Sequence, residues 1–321
     1  MDEFSFIDSI KQNFYHQSGL IKGIGDDAAV LRETSRDIVT AADIFVEDVH
    51  FTKETMNAFQ IGYRALAANL SDLAAMGAAP AYYLVSIVIP KSWSIDEITQ
   101  IFSGMKDLAG KYKMDLIGGD TVSGEALTIS ITVIGLAEKE KTRYRNAARE
   151  GDVVFVTGTL GDSQAGLHIL TNPGDYLEEE YFINRHQMPT PRVKFAKALV
   201  KLPRVALNDI SDGIASEAAE IAAASNVNIT LYDEKIPVSP SYHQFPSDLQ
   251  NKWKYYGGED FELMGTISKR YWEQLKLAAE LANTKVTEIG YVTINKYSGT
   301  IFQEKNNKKQ KLEKKGYNHL K

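Results

Sequence analysis

The sequence contains no cysteine. That excludes disulfides, thiolate nucleophiles and every metal centre built on sulfur. Histidine is scarce, with six in 321 residues, so any metal-binding set must draw mainly on oxygen donors. Positive charge is also short: 36 Lys and Arg stand against 42 Asp and Glu, a net charge of -6. Broad binding to nucleic acid or to an anionic membrane wants a basic face and is not expected. No long hydrophobic run occurs. The longest, AYYLVSIVIP, is too short to span a bilayer as a helix. The start, MDEFSFIDSIK, has neither the basic opening nor the apolar stretch of a signal peptide. The expectation is residence in the cytoplasm. A Walker A loop is absent, as is the protein-kinase set of Gly-rich loop, H-R-D and D-F-G.

What is present is an ordinary globular composition, 44% hydrophobic and 24% charged. Phe4, Ile7, Ile10 and Phe14 fall at helical spacing. DIVTAAD reads as a strand closed by Asp43, and NAFQIGYRALAANLSDLAAMG as a long helix ending near Gly77. YYLVSIVIP reads as a buried strand. SWSIDEITQIFSGMKDLAGKYK reads as a helix opened by a capping box of Ser94 and Glu97. MDLIGGDT follows as strand then loop, and LTISITVIGLAE as an alternating strand. The stretch KEKTRYRNAAREGD then loses all apolar period, and a domain boundary belongs in or near it. Beyond it, VVFVTGTLGDS, RVALNDISDG with IASEAAEIAAAS, and FELMGTIS with KRYWEQLKLAAELA and VTEIGYVTI again mix strand and helix. The expected organisation is two domains of α+β or α/β type, 1–140 and 141–321. The lysines at 305, 308, 309, 311, 314 and 315 read as solvated surface.

The chemistry-bearing pattern is one of aspartates. GIGDDAAV carries Asp26 and Asp27 where a G-x-G-x-x-A dinucleotide loop would receive a pyrophosphate. The segment before it is not a convincing strand, so a dinucleotide fold fits poorly. Asp120 follows Gly118 and Gly119, Asp209 and Asp212 sit in NDISDG, Asp260 follows GGE, and Asp72 lies in NLSDLAAMG. Each alone suits a turn, a cap or a helix surface. Together, carboxylates at strand ends beside glycines can converge on one cleft, and clustered carboxylates repel unless a cation neutralises them. Oxygen donors select Mg²⁺, Mn²⁺ or Ca²⁺. Mg²⁺ commonly works with carboxylates and substrate phosphates together.

The order GIGDDAAV, VHF, NLSDLAAMGAAP, LIGGDT, VTGTLGDSQAG, DISDG, GGEDFEL and a terminal GYNHL resembles the thiamine-monophosphate kinase family along nearly the whole chain. The resemblance implies the two-domain ATP-binding fold of the aminoimidazole ribonucleotide synthetase type, with N-terminal domains pairing in a homodimer and the C-terminal domain completing the active-site cleft. It implies phosphorylation of thiamine monophosphate by ATP to thiamine diphosphate. By the same resemblance Asp27, Asp43, Asp72, Asp120, Asp209 and Asp212 hold several Mg²⁺ ions. Gly119, Asp120, Arg145 and Ser211 contact ATP, and His50, Glu259 and Tyr317 contact thiamine monophosphate. No protein nucleophile is implied. One departure stands out: the family often has Ser or Thr just before the aspartate at position 43, where this chain has Ala41 and Ala42. Only backbone carbonyls are available there as metal ligands.

Two other readings follow from the same motifs. One is an aminoimidazole ribonucleotide synthetase-like enzyme of the superfamily. The other is a nucleotide-binding module without catalysis, against which the retained acidic set argues. Superfamily relatives that work through a reactive cysteine or selenocysteine do not fit a chain with neither.

Overall fold

A computed structural model describes residues 14–22, 30–31, 35–294 and 298–314. The helical spacing at residues 4–13 and the GIGDDA segment through Ala28 lie outside the described residues. The chain divides into two compact units, Met1–Leu73 with Ala78–Glu140 and Ala74–Gly77 with Lys141–Lys321.

In the N-terminal unit, β1 (Leu20–Lys22) pairs antiparallel with β2 (Val30–Leu31). A four-stranded sheet is built from β3 (Arg36–Val46), β4 (Ala79–Ile89), β5 (Asp115–Ser123) and β6 (Thr128–Glu138), ordered β3-β6-β4-β5. Only β4 and β5 run parallel. Helix α1 (Ala58–Ala75) joins β3 to β4, and α2 (Ile95–Tyr112) joins β4 to β5. The expected capping box opens α2: Ser94 accepts from the Glu97 N–H, and the Glu97 carboxylate accepts from the Ser94 N–H.

Register sorts the sheet into two faces, because directly paired residues share a side. Ile129, Ile131 and Val133 of β6 are buried on one face. On the same face a Cβ built at Gly135 would meet Leu73 of α1 at 3.0 Å, so α1 covers this side. The opposite face carries Ile38, Ile44 and Val122, which are 58%, 57% and 49% exposed.

Two strand ends differ from the sequence reading. Asp43 does not close β3, which continues three residues to Val46. Asp120 does not follow β5 but lies inside it, because the strand runs on through Gly118 and Gly119. Gly119 permits this: a Cβ there would sit 1.9 Å from the Val85 carbonyl oxygen of β4.

In the C-terminal unit a seven-stranded sheet has the order β13-β12-β9-β11-β7-β10-β8. Its strands in chain order are β7 (Asp152–Thr157), β8 (Val205–Asp209), β9 (Asn228–Tyr232), β10 (Leu263–Ser268), β11 (Val286–Thr293), β12 (Ile301–Lys305) and β13 (Lys308–Lys311). All pairs are antiparallel except β12 with β9. The helices are α3 (Asp162–Thr171), α4 (Glu179–Gln187), α5 (Val193–Ala198), α6 (Ile214–Ser225), α7 (Ser247–Tyr256) and α8 (Trp272–Leu281). Alternation along β7 divides the core. Val154 and Val156 pack with Ile214, Ala218 and Ile221 of α6. Phe155, pointing the other way, meets Phe195 of α5 and Trp272 of α8. Of the lysine tract, Lys305, Lys308, Lys309, Lys311 and Lys314 are surface, as expected, and Lys315 lies outside the described residues. Part of the tract forms β13, an edge strand whose four residues are all exposed.

In the N-terminal unit the crossing of α1 over α2 rests on two glycines. A Cβ on Gly62 would lie 1.8 Å from the Ile101 carbonyl oxygen, and one on Gly104 would lie 1.9 Å from that of Phe59. Alanine would gain about 1 kcal/mol of helix propensity. Forcing the two backbones apart costs about 1–3 kcal/mol or more, so the steric term wins. Gly104→Ala is therefore expected to lower the melting temperature by several degrees. A raised melting temperature in a thermal scan would mean that the helices can part freely.

Candidate functional site

The C-terminal unit concentrates its chemistry where β8 and β10 end. The two strands keep pairing past the sheet. Ile210 N–H donates to Glu262 O at 2.8 Å, Phe261 N–H to Ile210 O at 3.0 Å, and Glu259 N–H to Ser211 O at 2.7 Å. DISDG and GGEDFE are thus two sides of one corner, and Ser211 and Glu259 are joined backbone to backbone. Glycine is required on each side by the other. A Cβ on Gly258 would lie 2.4 Å from Ser211 O, and one on Gly213 would lie 2.8 Å from the Tyr256 backbone. Gly213, at φ 102°, also takes the N-cap position of α6. Asp212 is therefore not the cap that a turn aspartate there suggests.

Asp209 is buried and Asp212 is half-buried. A third carboxyl, Glu217 in the first turns of α6, joins them. It is buried, accepts from Asp212 N–H at 3.2 Å and accepts from the Asn208 amide at 2.5 Å. Burial, then repulsion from Asp209 and Glu220, pushes the Glu217 carboxyl up to about 9. Arg145 reaches the same corner from the short turn Arg145–Ala147: its Nε donates to Asn208 Oδ1 at 2.8 Å, and it pairs with Glu220 at 3.1 Å. Its side chain stays 52% exposed, so the guanidinium still faces solvent.

In the N-terminal unit the candidates are spread over the sheet. Asn69 of α1 accepts from the Asp43 N–H at 3.2 Å. Asp72 follows Asn69 by three residues and so shares its side of α1. Register puts Asp43 opposite Ile131, on the helix-covered face. The Asp43 side chain keeps solvent access, and desolvation still raises its carboxyl. Asp120 pairs with Ser86, and Ser86 with Ser130, which places it on the other face. Asp43 and Asp120 lie on opposite edge strands, with two strands between them. At about 4.8 Å per strand spacing, their backbones are roughly 14 Å apart. Gly119, in contrast, lies in one row across the sheet with Val85, Ile131 and Asp43. His50 lies in the turn after β3. Its Nδ1 accepts from the Val46 N–H at 3.1 Å, which leaves Nε2 as the protonated nitrogen, and its ring stands 5.2 Å from that of Phe45. Asp26, Asp27 and Tyr317 lie outside the described residues.

Three polar partners went unread in the sequence: Asn69, Asn208 and Glu217. Asn69 and Glu217 carry a signal in spacing, one turn before Asp72 and five residues after Asp212. Asn208 shows only in the sheet register.

Among the described residues, no group of three acidic or histidine side chains already stands as a metal centre. The donor set nevertheless fits Mg²⁺. At the 209–217 corner the candidate donor atoms are carboxylate oxygens, and burial, then like-charge repulsion, raises the Glu217 carboxyl. A hard divalent cation would offset that repulsion.

Behind the corner, the Asp260 carboxylate accepts from Gly161 N–H at 2.7 Å and Ser163 N–H at 3.1 Å, at the start of α3. Burial raises it from 3.8 to about 7, against the pull of Arg185. A carboxyl raised on folding binds its proton more tightly in the folded state. Stability from this group is therefore fully present below about pH 4 and falls as pH rises through about 7. Chemical denaturation of wild type and Asp260→Asn across that range should show the wild type losing ground to the variant with rising pH. A gap constant with pH would contradict the shift.

Family models match both units: AIR synthase related protein, N-terminal domain, over residues 25–137, and AIR synthase related protein, C-terminal domain, over residues 149–301. The chain is 44% identical to the thiamine-monophosphate kinase of Bacillus subtilis (strain 168), with 100% of each chain covered. It is similar to the crystal structure of thiamine-monophosphate kinase from Stenotrophomonas maltophilia K279a, at TM-score 0.83 and 34% identity, covering 92% of this chain and 95% of that one. It is also similar to AaThiL complexed with AMPPCP and TMP, at TM-score 0.78 and 32% identity, covering 99% and 96%.

Proposed function

From the premise that the chain belongs to the thiamine-monophosphate kinase family of AIR synthase related proteins, we propose that it transfers the γ-phosphoryl group of ATP directly to thiamine monophosphate, in line and without a phosphoenzyme. The single observation that carries this reading is the interlocked corner of Ser211 and Glu259 with Asp209, Asp212 and Glu217 beside it. It supplies carboxylates, backbone groups and a half-buried Glu259. The solved relative described with AMPPCP and TMP supports an ATP-like donor and this acceptor.

Donor and acceptor are both phosphates, so repulsion between anions is the obstacle, and positioning matters more than covalent chemistry. Several Mg²⁺ ions, held by Asp27, Asp43, Asp72, Asp120, Asp209 and Asp212, would supply the charge that offsets it. Arg145 is anchored by Asn208 and Glu220 with its guanidinium still accessible, which suits it to phosphate oxygens of ATP. Gly119 and Ser211 offer backbone and hydroxyl contacts to the nucleotide. Glu259, His50 and Tyr317 are assigned to thiamine monophosphate. Glu259 brings a negative charge suited to the cationic thiazolium, and Tyr317 an aromatic face. The acceptor phosphate is anionic near neutral pH and needs no strong general base.

We further propose a homodimer formed on the exposed sheet face of the N-terminal unit. Ile38, Ile44 and Val122 are large apolar side chains left exposed on that face, the kind of surface that a partner covers. Sedimentation at micromolar concentration should give a dimer for the wild type and a monomer for Ile44→Lys. A monomeric wild type would contradict the pairing.

ADP release should depend on both thiamine monophosphate and Mg²⁺ and stop in excess EDTA. Asp72→Asn keeps the shape but removes the charge, and should lower kcat by about a hundredfold or more while the melting temperature holds. Wild-type turnover in Asp72→Asn, or full activity in EDTA, would overturn the metal assignment.

A further inference from the structure

The corner that carries Glu259 is held in a backbone form that it would not adopt unaided. Glu259 has φ 67° and Phe261 φ 49°. Two left-handed non-glycine residues so close together, one of them a bulky aromatic, persist only where the surroundings over-determine them. The backbone bonds to Ser211 and Ile210 hold one side of the turn. The other side is held from α4 and from the start of α5. Arg185 Nη2 donates to the Asp260 carbonyl oxygen at 3.2 Å and to Glu262 Oε1 at 2.9 Å, bracketing Phe261. Arg192 Nε donates to Glu262 Oε2 at 2.5 Å, and the Thr157 hydroxyl donates to the same oxygen at 2.6 Å. Glu262 is completely buried. Burial opposes its ionisation, and the charges of Arg192 and Arg185 outweigh that, holding its carboxyl below the ordinary range.

A buried carboxylate with two guanidinium partners is a poor source of stability, since apolar side chains of like volume serve as well or better. What it supplies is direction. Here both ends of the turn, the Asp260 carbonyl and the Glu262 side chain, are tied to one guanidinium.

We propose that Arg185, assisted by Arg192 through Glu262, is a positioning residue for the acceptor, fixing the 258–262 turn in the form that presents Glu259. This rests on the reading above that Glu259 contacts thiamine monophosphate.

Arg185→Met removes both donors while leaving Glu262 its bonds to Arg192 and Thr157. Two measurements on the full chain test it. In hydrogen–deuterium exchange, peptides spanning 257–262 should exchange faster by on the order of tenfold, with 263–268 in β10 unchanged. In steady-state kinetics, KM for thiamine monophosphate should rise about tenfold and KM for ATP by less than about twofold. The effect should be absent when Arg185→Met is added to Glu259→Ala, because both changes remove the same contact. Unchanged exchange at 257–262 would overturn the clamp. Faster exchange with equal KM changes for both substrates, or with effects that add fully to those of Glu259→Ala, would reduce Arg185 to a structural role and overturn positioning. A Glu259→Ala variant with wild-type KM for thiamine monophosphate would refute the reading of Glu259, and this proposal with it, whatever the exchange shows. If Arg185→Met is insoluble, Arg185→Lys is read in the same way, because the shorter ammonium keeps a charge near Glu262 but cannot reproduce both contacts of the guanidinium.

Discussion

The C-terminal site depends on strand pairing that does not stop at the sheet edge. β8 and β10 remain hydrogen-bonded through Ile210, Ser211, Glu259 and Phe261. The two acidic turns therefore cannot move independently. The approach is close enough that Gly213 and Gly258 have no substitute with a Cβ. Asp209, Asp212, Ser211 and Glu259, distant in sequence, are held in one corner by main-chain bonds and not by long side chains. Backbone-held groups lose little entropy on meeting a ligand, and a reaction limited by positioning benefits from that.

The electrostatics follow from the same geometry. Bringing Asp209, Asp212 and Glu217 together in a half-buried corner creates repulsion, and among the described residues the partners of Glu217 are two amides and no cationic side chain. Arg145 compensates Glu220 at the rim. Deeper in, the opposite arrangement holds: Glu262 is fully buried and matched by Arg185 and Arg192. One acidic cluster is compensated from within the chain and fixes the backbone. The other carries Glu217, whose carboxyl is pushed up by burial and then by repulsion from Asp209 and Glu220.

Much of the fold was legible in the sequence because it rests on local signals. The Ser94–Glu97 box marks the start of α2, the alternation in LTISITVIGLAE marks β6, and the Ala-rich run after DISDG marks α6. The misreadings share one cause, tertiary context overriding a local rule. GGD reads as a turn, yet Gly118 and Gly119 continue β5, with β4 passing too close to Gly119 for a side chain. GGD lies within a strand, whereas GGED lies in a loop after α7. Asp212 reads as a helix cap, yet Gly213 takes that position. Of the candidate site, the motif aspartates were visible, but their supports were not. Glu217 looks like one more surface glutamate of α6, and Arg185 and Arg192 look like surface charges until α4 and α5 are placed against Glu262.

The central claim is that the phosphoryl group passes from ATP to an acceptor phosphate and not to water or to the protein. It is tested most directly by ³¹P NMR of the enzyme with ATP, thiamine monophosphate and Mg²⁺. The account predicts that the monophosphate singlet gives way to the paired doublets of a diphosphate ester at the rate at which ADP appears, with no inorganic phosphate formed. An unchanged singlet, or ADP accompanied by inorganic phosphate alone, would contradict it.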